Sequence, residues 1–296
     1  MDKKKLYEWC AVPVDKLVDH PKRKTPFRIV PDAKALGELM ALDFAEDIQK
    51  ANEEKRPYNA IVPCGPKEWY APFARIVNER RISLKNMTAF HMDENLDWEG
   101  KLLPENDPSN FRTFMHRYFY ETVDPELAVP VENRKYILPS NYEELSELIL
   151  KTDIDYTLGG WGQDGHLAFN LARRSFYSPI SLEEMRNSTA RIQENNPDTI
   201  LALSQRGLGA AWQFMPPMSI TLGAKECLKA KKFRVYSATG SWKQTALRIA
   251  LFSEPTHEYP ITLLQEHPDA IITATEETAR HPIAENPDWR FRGVHE

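Results

Sequence analysis

A cluster of glycines that holds an acid and a histidine is the part of this sequence best suited to chemistry. Four of the chain's 12 glycines fall within seven residues: Gly159, Gly160, Gly162 and Gly165. Glycines that follow a strand leave backbone N–H groups open to an anion or a sugar oxygen. His166 can take up and release a proton near neutral pH, and Asp164 is placed two residues before it to orient the imidazole. The segment 159–170 therefore predicts a ligand site with proton transfer.

The elements around this segment alternate between strand and helix. The pattern predicts strands at 27–30, 59–62, 87–90, 156–158, 233–237 and 270–273, and helices at 33–53, 67–80 and 242–251. Such alternation favours an α/β fold of three layers, a mostly parallel, Rossmann-like sheet with helices on both faces. We expect a single α/β domain over 1–296, with polar extensions at about 1–25 and 279–296.

Four loops follow the predicted strands and carry polar groups. They are Pro63–Lys67, His91–Asn95, Gly159–Asn170 and Thr239–Lys243. Ligands of an open parallel sheet bind beyond the carboxyl ends of its strands. We therefore expect these loops to gather carboxylates, histidines, lysines and backbone donors along one edge of the sheet.

Composition limits the class of protein. The chain has 296 residues, a net charge of -5 and a pI near 6.0, which argue against a broad nucleic-acid surface. No stretch approaches the ~20 apolar residues that a membrane span needs. Cys10, Cys64 and Cys227 are odd in number and widely spaced, so they form neither a disulfide framework nor a metal motif. With no apolar leader at the N-terminus, these features predict a cytoplasmic protein.

Several strings of the sequence resemble the glucosamine-6-phosphate deaminase/isomerase family, which shares a fold with 6-phosphogluconolactonase. Residues 159–170 match the family's Gly-Gly-x-Gly-x-Asp-Gly-His-x-Ala-Phe-Asn. Residues 90–94 resemble its Phe-x-Met-Asp-Glu, 240–243 its Gly-Ser-x-Lys, and 264–270 its Leu-x-x-His-Pro-x-Ala. The strings occur in the family's order between about residues 27 and 277, so the resemblance implies membership.

The resemblance also implies roles for the matching residues. Asp93 would move a proton between sugar carbons C1 and C2, and His166, with Asp164 as its partner, would open the pyranose ring. Lys243 would bind the substrate phosphate near a helix N-terminus. The other residues expected to contact substrate are Cys64, Gly65, Lys67, Glu94, Gly160, Trp161, Gly162, Gly165, Asn170 and Arg206. The expected ligand is a small sugar or sugar phosphate. We expect no cofactor or metal and no binding to nucleic acid or membranes, and formation of a homo-oligomer is left open.

Three positions depart from the family pattern. Leu171 stands where the family has glutamate, and leucine can neither accept a hydrogen bond nor carry a proton. The turn at 63–67 replaces Pro-Thr-Gly-Gly-Thr-Pro and loses threonine hydroxyls and one N–H donor, for which Lys67 supplies a charge. Ile200 stands where the family has a phosphate-binding arginine, and Arg206 is the nearby replacement. These changes leave open which sugar is bound and whether it is phosphorylated or aminated.

Other functions stay open beside an isomerase or deaminase. A lactone hydrolase like 6-phosphogluconolactonase would use His166 to activate water. A non-catalytic sugar-phosphate sensor or inactive relative would fit the missing glutamate and arginine. A metal site of His91, Asp93 and Asp97 matches no strong zinc spacing, and His91 at a strand end is more typical of a packing residue.

Overall fold

A computed structural model of the chain describes residues 1–172, 179–286 and 288–289. The strands are β1 (Phe27–Val30), β2 (Tyr58–Val62), β3 (Met87–His91), β4 (Asp93–Leu96), β5 (Arg134–Lys135), β6 (Tyr156–Gly159), β7 (Arg191–Glu194), β8 (Met218–Thr221), β9 (Lys232–Ser237) and β10 (Ala270–Thr275). The α-helices are α1 (Lys3–Cys10), α2 (Val14–Leu17), α3 (Ala33–Glu53), α4 (Tyr70–Arg80), α5 (Phe111–Met115), α6 (Tyr142–Lys151), α7 (Leu182–Arg186), α8 (Pro197–Gly207), α9 (Ala224–Cys227), α10 (Gln244–Phe252), α11 (Glu276–Ala279) and α12 (Pro282–Glu285). A π-helical turn spans His116–Tyr120, and 3₁₀ turns span Val131–Asn133, Trp212–Phe214, Gly240–Lys243 and Pro260–Glu266.

Within the described residues, seven parallel strands form the central sheet in the order β1-β10-β9-β6-β2-β3-β5. Successive side chains of a strand point to opposite faces, and both faces of this sheet are covered. Ala60 and Val62 pack in the core that contains residues of α3 and α4, whereas Ile61 packs in the core that contains residues of α6 and α10. The predicted α/β architecture with helices on both faces is confirmed.

Helix α3 has the predicted bounds because its signals are local. The Asp32 side chain caps the helix by accepting the Ala35 N–H at 2.8 Å. Leu36, Met40 and Phe44 follow at helical spacing, and all are fully buried.

Two other predicted helices begin later than their patterns indicate. Helix α4 begins at Tyr70 rather than at 67, because the preceding residues form a loop beyond β2 that lies over α3. Helix α10 begins at Gln244 rather than at 242, because the 3₁₀ turn Gly240–Lys243 precedes it.

A second, antiparallel sheet in the order β4-β8-β7 was not predicted. The chain enters it directly from β3 through Met92, whose N–H donates to Val62 of the central sheet and whose carbonyl accepts from Leu222. Asp93 is the first residue of β4 and pairs with Thr221. The junction between the two sheets therefore fixes the position of Asp93.

The first 25 residues, expected as a polar extension, contact the core. Leu17 is fully buried, and the fully buried Arg248 of α10 donates to the Val12 carbonyl at 3.1 Å. Helix α12 packs against α1, and Trp289 stacks on Tyr7 at a ring distance of 5.7 Å. No helix among the described residues is long and apolar enough to cross a bilayer.

The contact between α3 and the loop before α4 makes a prediction about stability. A Cβ atom at Gly37 would overlap the Glu68 carbonyl, so Gly37→Ala should lower the free energy of unfolding by about 1–3 kcal/mol. At Gly207, the last residue of α8, a Cβ atom meets nothing within 4 Å, so Gly207→Ala should be neutral or stabilise by up to about 1 kcal/mol. Urea unfolding measures both changes, and a Gly37→Ala variant as stable as the parent would contradict the packing argument.

Candidate active site

The loops that follow β2, β3, β6 and β9 surround one cavity of about 380 Å³. Each of the four predicted loops contributes lining residues, including Cys64, Asp93, His166 and Lys243. Two further elements close the cavity, since Phe111 of α5 and residues of α8 also line it. The structure thus brings the predicted acid, imidazole and cations together at one edge of the sheet.

His166 and Asp164 form a close pair beside this cavity. The Nδ1 atom of His166 lies 2.6 Å from Oδ1 of Asp164, whose side chain is buried. Burial alone would raise the pKa of Asp164, but the charge of His166 and its hydrogen bonds outweigh burial and lower the pKa to about 2. Asp164 is therefore ionised at neutral pH and holds the imidazole in one orientation.

The backbone around the pair leaves no room for side chains. A Cβ atom at Gly162 would overlap the His166 ring and lie 2.5 Å from Asp164 Oδ1. Gly165 has a φ of +77°, and a Cβ atom there would lie 2.7 Å from Tyr259. Gly162 is required by the close approach of the imidazole, and Gly165 by its positive φ and the contact with Tyr259.

Asp93 is one of the carboxylates that line the cavity. It is half-buried at the start of β4, and burial, with the neighbouring charge of Glu94, raises its pKa to about 8. A carboxyl group with such a pKa can both release and accept a proton near neutral pH. This property fits a residue that moves a proton between two atoms of a ligand.

Glu94, which was expected to contact substrate, does not line the cavity. Its carboxylate accepts the backbone N–H groups of Asn95, Phe111 and Arg112 at 2.7–2.8 Å. Burial raises the pKa of Glu94, and these hydrogen bonds oppose that rise. Glu94 thus fixes the start of α5 and with it Phe111, which lines the cavity.

Asn170 and Gly165 also lie outside the cavity lining. The Asn170 amide donates to the carbonyls of Leu167 and Leu222 at 3.0 Å, and its oxygen accepts from Arg191. Asn170 therefore ties the glycine-rich loop to the end of β8. Leu171, at the departure from the family pattern, is buried and does not line the cavity.

Positively charged side chains also line the cavity. The Lys243 ammonium lies 5.6 Å from the centre of the Trp161 ring, and the Lys67 ammonium lies 4.4 Å from the centre of the Phe114 ring. Burial and the charge of Arg206 lower the pKa of Lys243 to about 8, against the opposing charges of Glu68 and Asp164. A bound anion would stabilise these mutually repelling cations.

Cys64 and His91 are buried side chains whose pKa values are shifted by that burial. Burial raises the pKa of the Cys64 thiol above its usual range, so the thiol stays protonated at neutral pH. His91 is buried, lies with Nε2 2.7 Å from the Tyr120 hydroxyl, and stacks on Tyr136 at a ring distance of 4.1 Å. Burial, and then the charge of Arg134, lower the pKa of His91 to about 3, and it packs outside the cavity.

Several lining residues were not among the individually predicted site residues, although some lie within the predicted loops. They are Pro63, Pro66, Glu68, Met92, Phe111, Gln163, Ala168, Phe169, Leu203, Ser237, Ala238 and Thr239. Leu203 could have been found from the helical spacing that places it three residues before Arg206 on α8. Phe111 carries no local signal, because it reaches the cavity through its long-range hydrogen bond to Glu94.

Comparisons with known proteins agree with the resemblance. No family model matches the chain. A glucosamine-6-phosphate deaminase of Yersinia enterocolitica is 29% identical over 231 residues, which cover 75% of this chain and 79% of that protein. A glucosamine-6-phosphate deaminase of Phocaeicola vulgatus is 29% identical over 256 residues, which cover 83% and 89%.

Solved structures share the fold. A monomeric glucosamine-6-phosphate deaminase superposes with a TM-score of 0.71 at 19% identity, over 86% of this chain and 98% of that one. A 6-phosphogluconolactonase from Shewanella baltica superposes with a TM-score of 0.58 at 18% identity, over 85% and 97%. At these identities the structural likeness establishes the architecture.

The close approach of Gly162 to the His166 ring leads to one prediction. Gly162→Ala should separate the His166 ring from Asp164, so the pKa of Asp164 should rise above about 2, because the charge and side-chain hydrogen bond of His166 oppose burial most strongly. Carboxyl titration by carbon-13 NMR measures this change, with Gly207→Ala as the matched control. An Asp164 that still titrates near 2 in Gly162→Ala would refute the overlap.

The cations make a second prediction, about anion binding. Sulfate keeps its charge through the neutral range, so its affinity should fall several-fold between about pH 7 and about pH 9, where Lys243 loses its proton and Asp93 becomes ionised. Calorimetric titration measures the dissociation constant. Lys243→Gln should retain only the part of the pH dependence due to Asp93, and a pH-independent affinity in the parent would rule out this arrangement of charges.

Proposed function

We propose that this chain is a glucosamine-6-phosphate deaminase/isomerase-like enzyme, which moves a proton between C1 and C2 of a sugar phosphate with Asp93 as the acid–base group and His166 as the ring-opening group. One observation carries the proposal. Asp93, His166 and the cations Lys67, Arg206 and Lys243 come from distant parts of the chain and line the same cavity.

Asp93 has the properties that the proton transfer needs. A base that removes the C2 proton of an open-chain sugar must later return it to C1, so both of its protonation states must be accessible. Burial raises the pKa of Asp93 to about 8, which meets that requirement near neutral pH. The hydrogen-bonded neighbours Met92 and Glu94 fix the Asp93 carboxylate at the start of β4 in the second sheet.

His166 has the properties that ring opening needs. Its Nδ1 atom faces Asp164, so Nε2 is the nitrogen available to a ligand. In the proposed step, Nε2 of His166 takes the proton of the C1 hydroxyl and delivers it to the ring oxygen. The bond between C1 and the ring oxygen breaks, and the ring opens to the aldehyde. The ionised Asp164 holds the Nδ1 side of the imidazole during this step.

The three cations are the proposed phosphate subsite. A phosphate near Lys243 would offset the mutual repulsion of Lys243 and Arg206 that contributes to the low pKa of Lys243. Arg206 lies on α8 at the rim of the cavity, where it would replace the family arginine that is absent at Ile200. Lys67 would supply charge in place of the lost threonine hydroxyls.

Deamination is tested separately from isomerisation, because Leu171 places no carboxylate beside His166. Purified protein is incubated with glucosamine 6-phosphate, and ammonia and fructose 6-phosphate are measured. Release of both products would establish the deaminase form with the Asp164–His166 pair alone. Proton exchange without ammonia would establish an isomerase-type reaction on the same substrate.

Lactone hydrolysis is the second candidate function. The observation that favours it is that the His166–Asp164 pair is complete without Asp93 and could activate a water molecule. Acid release from 6-phosphogluconolactone in a pH-stat measures this activity. Hydrolysis that persists in Asp93→Asn, with no exchange at C2, would favour the lactonase over the isomerase.

The role of Asp93 makes a direct prediction. Asp93→Asn should slow the exchange of the substrate C2 proton with heavy water by about 10²–10⁴-fold, because asparagine cannot take up the proton. Proton NMR measures the exchange. The matched control is Asp153→Asn, an exposed aspartate remote from the cavity lining, which should exchange at the parental rate. Unchanged exchange in Asp93→Asn would remove Asp93 from the reaction.

A further inference from the structure

Glu68 has a carboxylate oxygen without a partner at the edge of the cavity. Glu68 lines the cavity, and its Oε2 atom is shielded from solvent and has no hydrogen-bond partner among the described residues. The charge of Glu68 acts to raise the pKa values of Lys243 and Arg206, but neither cation lies within ion-pair distance of it among the described contacts. The carboxylate therefore faces the cations without being paired to them.

Packing rather than charge holds Glu68 in this position. Its backbone carbonyl lies against Gly37 of α3, where a Cβ atom would overlap it. The next residue, Trp69, is fully buried and packs against Phe44 and Phe73. Glu68 is thus fixed from both sides and cannot simply rotate its backbone away from the cavity.

A shielded carboxylate oxygen without a donor is unfavourable, so a donor from a ligand would stabilise it. A second lining residue has the complementary deficiency, since the indole Nε1 of Trp161 is shielded and has no acceptor among the described residues. A sugar hydroxyl both donates and accepts a hydrogen bond, so one class of ligand satisfies both groups. A bare phosphate dianion can accept from Trp161 but is repelled by Glu68.

We propose that Glu68 is a specificity-determining residue that accepts a hydrogen bond from a hydroxyl of the bound sugar phosphate. The inference rests on the proposed function, because it assumes a sugar phosphate in this cavity. Glu68 makes the anion subsite select phosphates that carry hydroxyl groups over inorganic phosphate.

The test compares two ligands that do not react, glucitol 6-phosphate and inorganic phosphate, by calorimetric titration at one pH. Glu68→Ala should raise the dissociation constant of glucitol 6-phosphate by about tenfold or more, because a charged hydrogen bond is lost. The same variant should bind inorganic phosphate as well as the parent or more tightly, because a negative charge is removed. Glu68→Gln keeps an acceptor oxygen and should weaken glucitol 6-phosphate less than Glu68→Ala does.

The matched control is Glu79→Gln on the exposed face of α4, which should bind both ligands like the parent. Three results would overturn the inference. The parent protein could bind glucitol 6-phosphate no better than inorganic phosphate, Glu68→Ala could leave both dissociation constants unchanged, or Glu68→Ala could lower both dissociation constants by the same factor. The proposed function fails differently. Selective weakening in Glu68→Ala with no C2 exchange in the parent would uphold the role of Glu68 and reject the isomerase, whereas C2 exchange in the parent with unselective Glu68→Ala would do the reverse.

Discussion

The short contact between Asp164 and His166 is the interaction on which the geometry of the cavity depends. It needs Gly162, because any side chain there would occupy the space of the imidazole. It needs the carboxyl end of β6, which delivers the loop to the edge of the sheet where β2, β3 and β9 also end. It needs Asn170, which ties the far end of the loop to Leu222. Each requirement is structural, and together they place one imidazole nitrogen toward a ligand.

Burial both shifts the pKa values of the cavity residues and leaves some of their polar atoms without partners among the described residues. It raises the pKa of Asp93 and lowers that of Lys243, so an acid and a base each titrate near 8 in the same space. It also leaves Glu68 and Trp161 with shielded polar atoms that have no partner among the described residues. The extensive cores on both faces of the sheet stabilise a molecule that holds these unfavourable groups. A ligand that carries an anion and several hydroxyls would satisfy all of them together.

The sequence was informative where structure is decided locally. Helix α3 was predicted to its ends because Asp32 caps it and its apolar spacing is regular. The antiparallel sheet was missed because its strands are short, and Arg191–Glu194 has no apolar alternation; its pairing depends on β8, more than 20 residues later. The cavity loops were predicted from strand ends and a resemblance, but the inward or outward direction of each side chain was not. Glu94 and Asn170 illustrate this, since long-range backbone partners occupy both side chains.

A crystal structure with glucitol 6-phosphate tests the central claim most directly, because this open-chain polyol occupies the cavity without reacting. We expect the phosphate to lie against Lys243 and Arg206 and the C1–C2 end beside the carboxylate of Asp93. We also expect the imidazole of His166 within hydrogen-bond distance of a ligand oxygen. A polyol bound in the opposite direction, or outside the cavity between these two side chains, would contradict it.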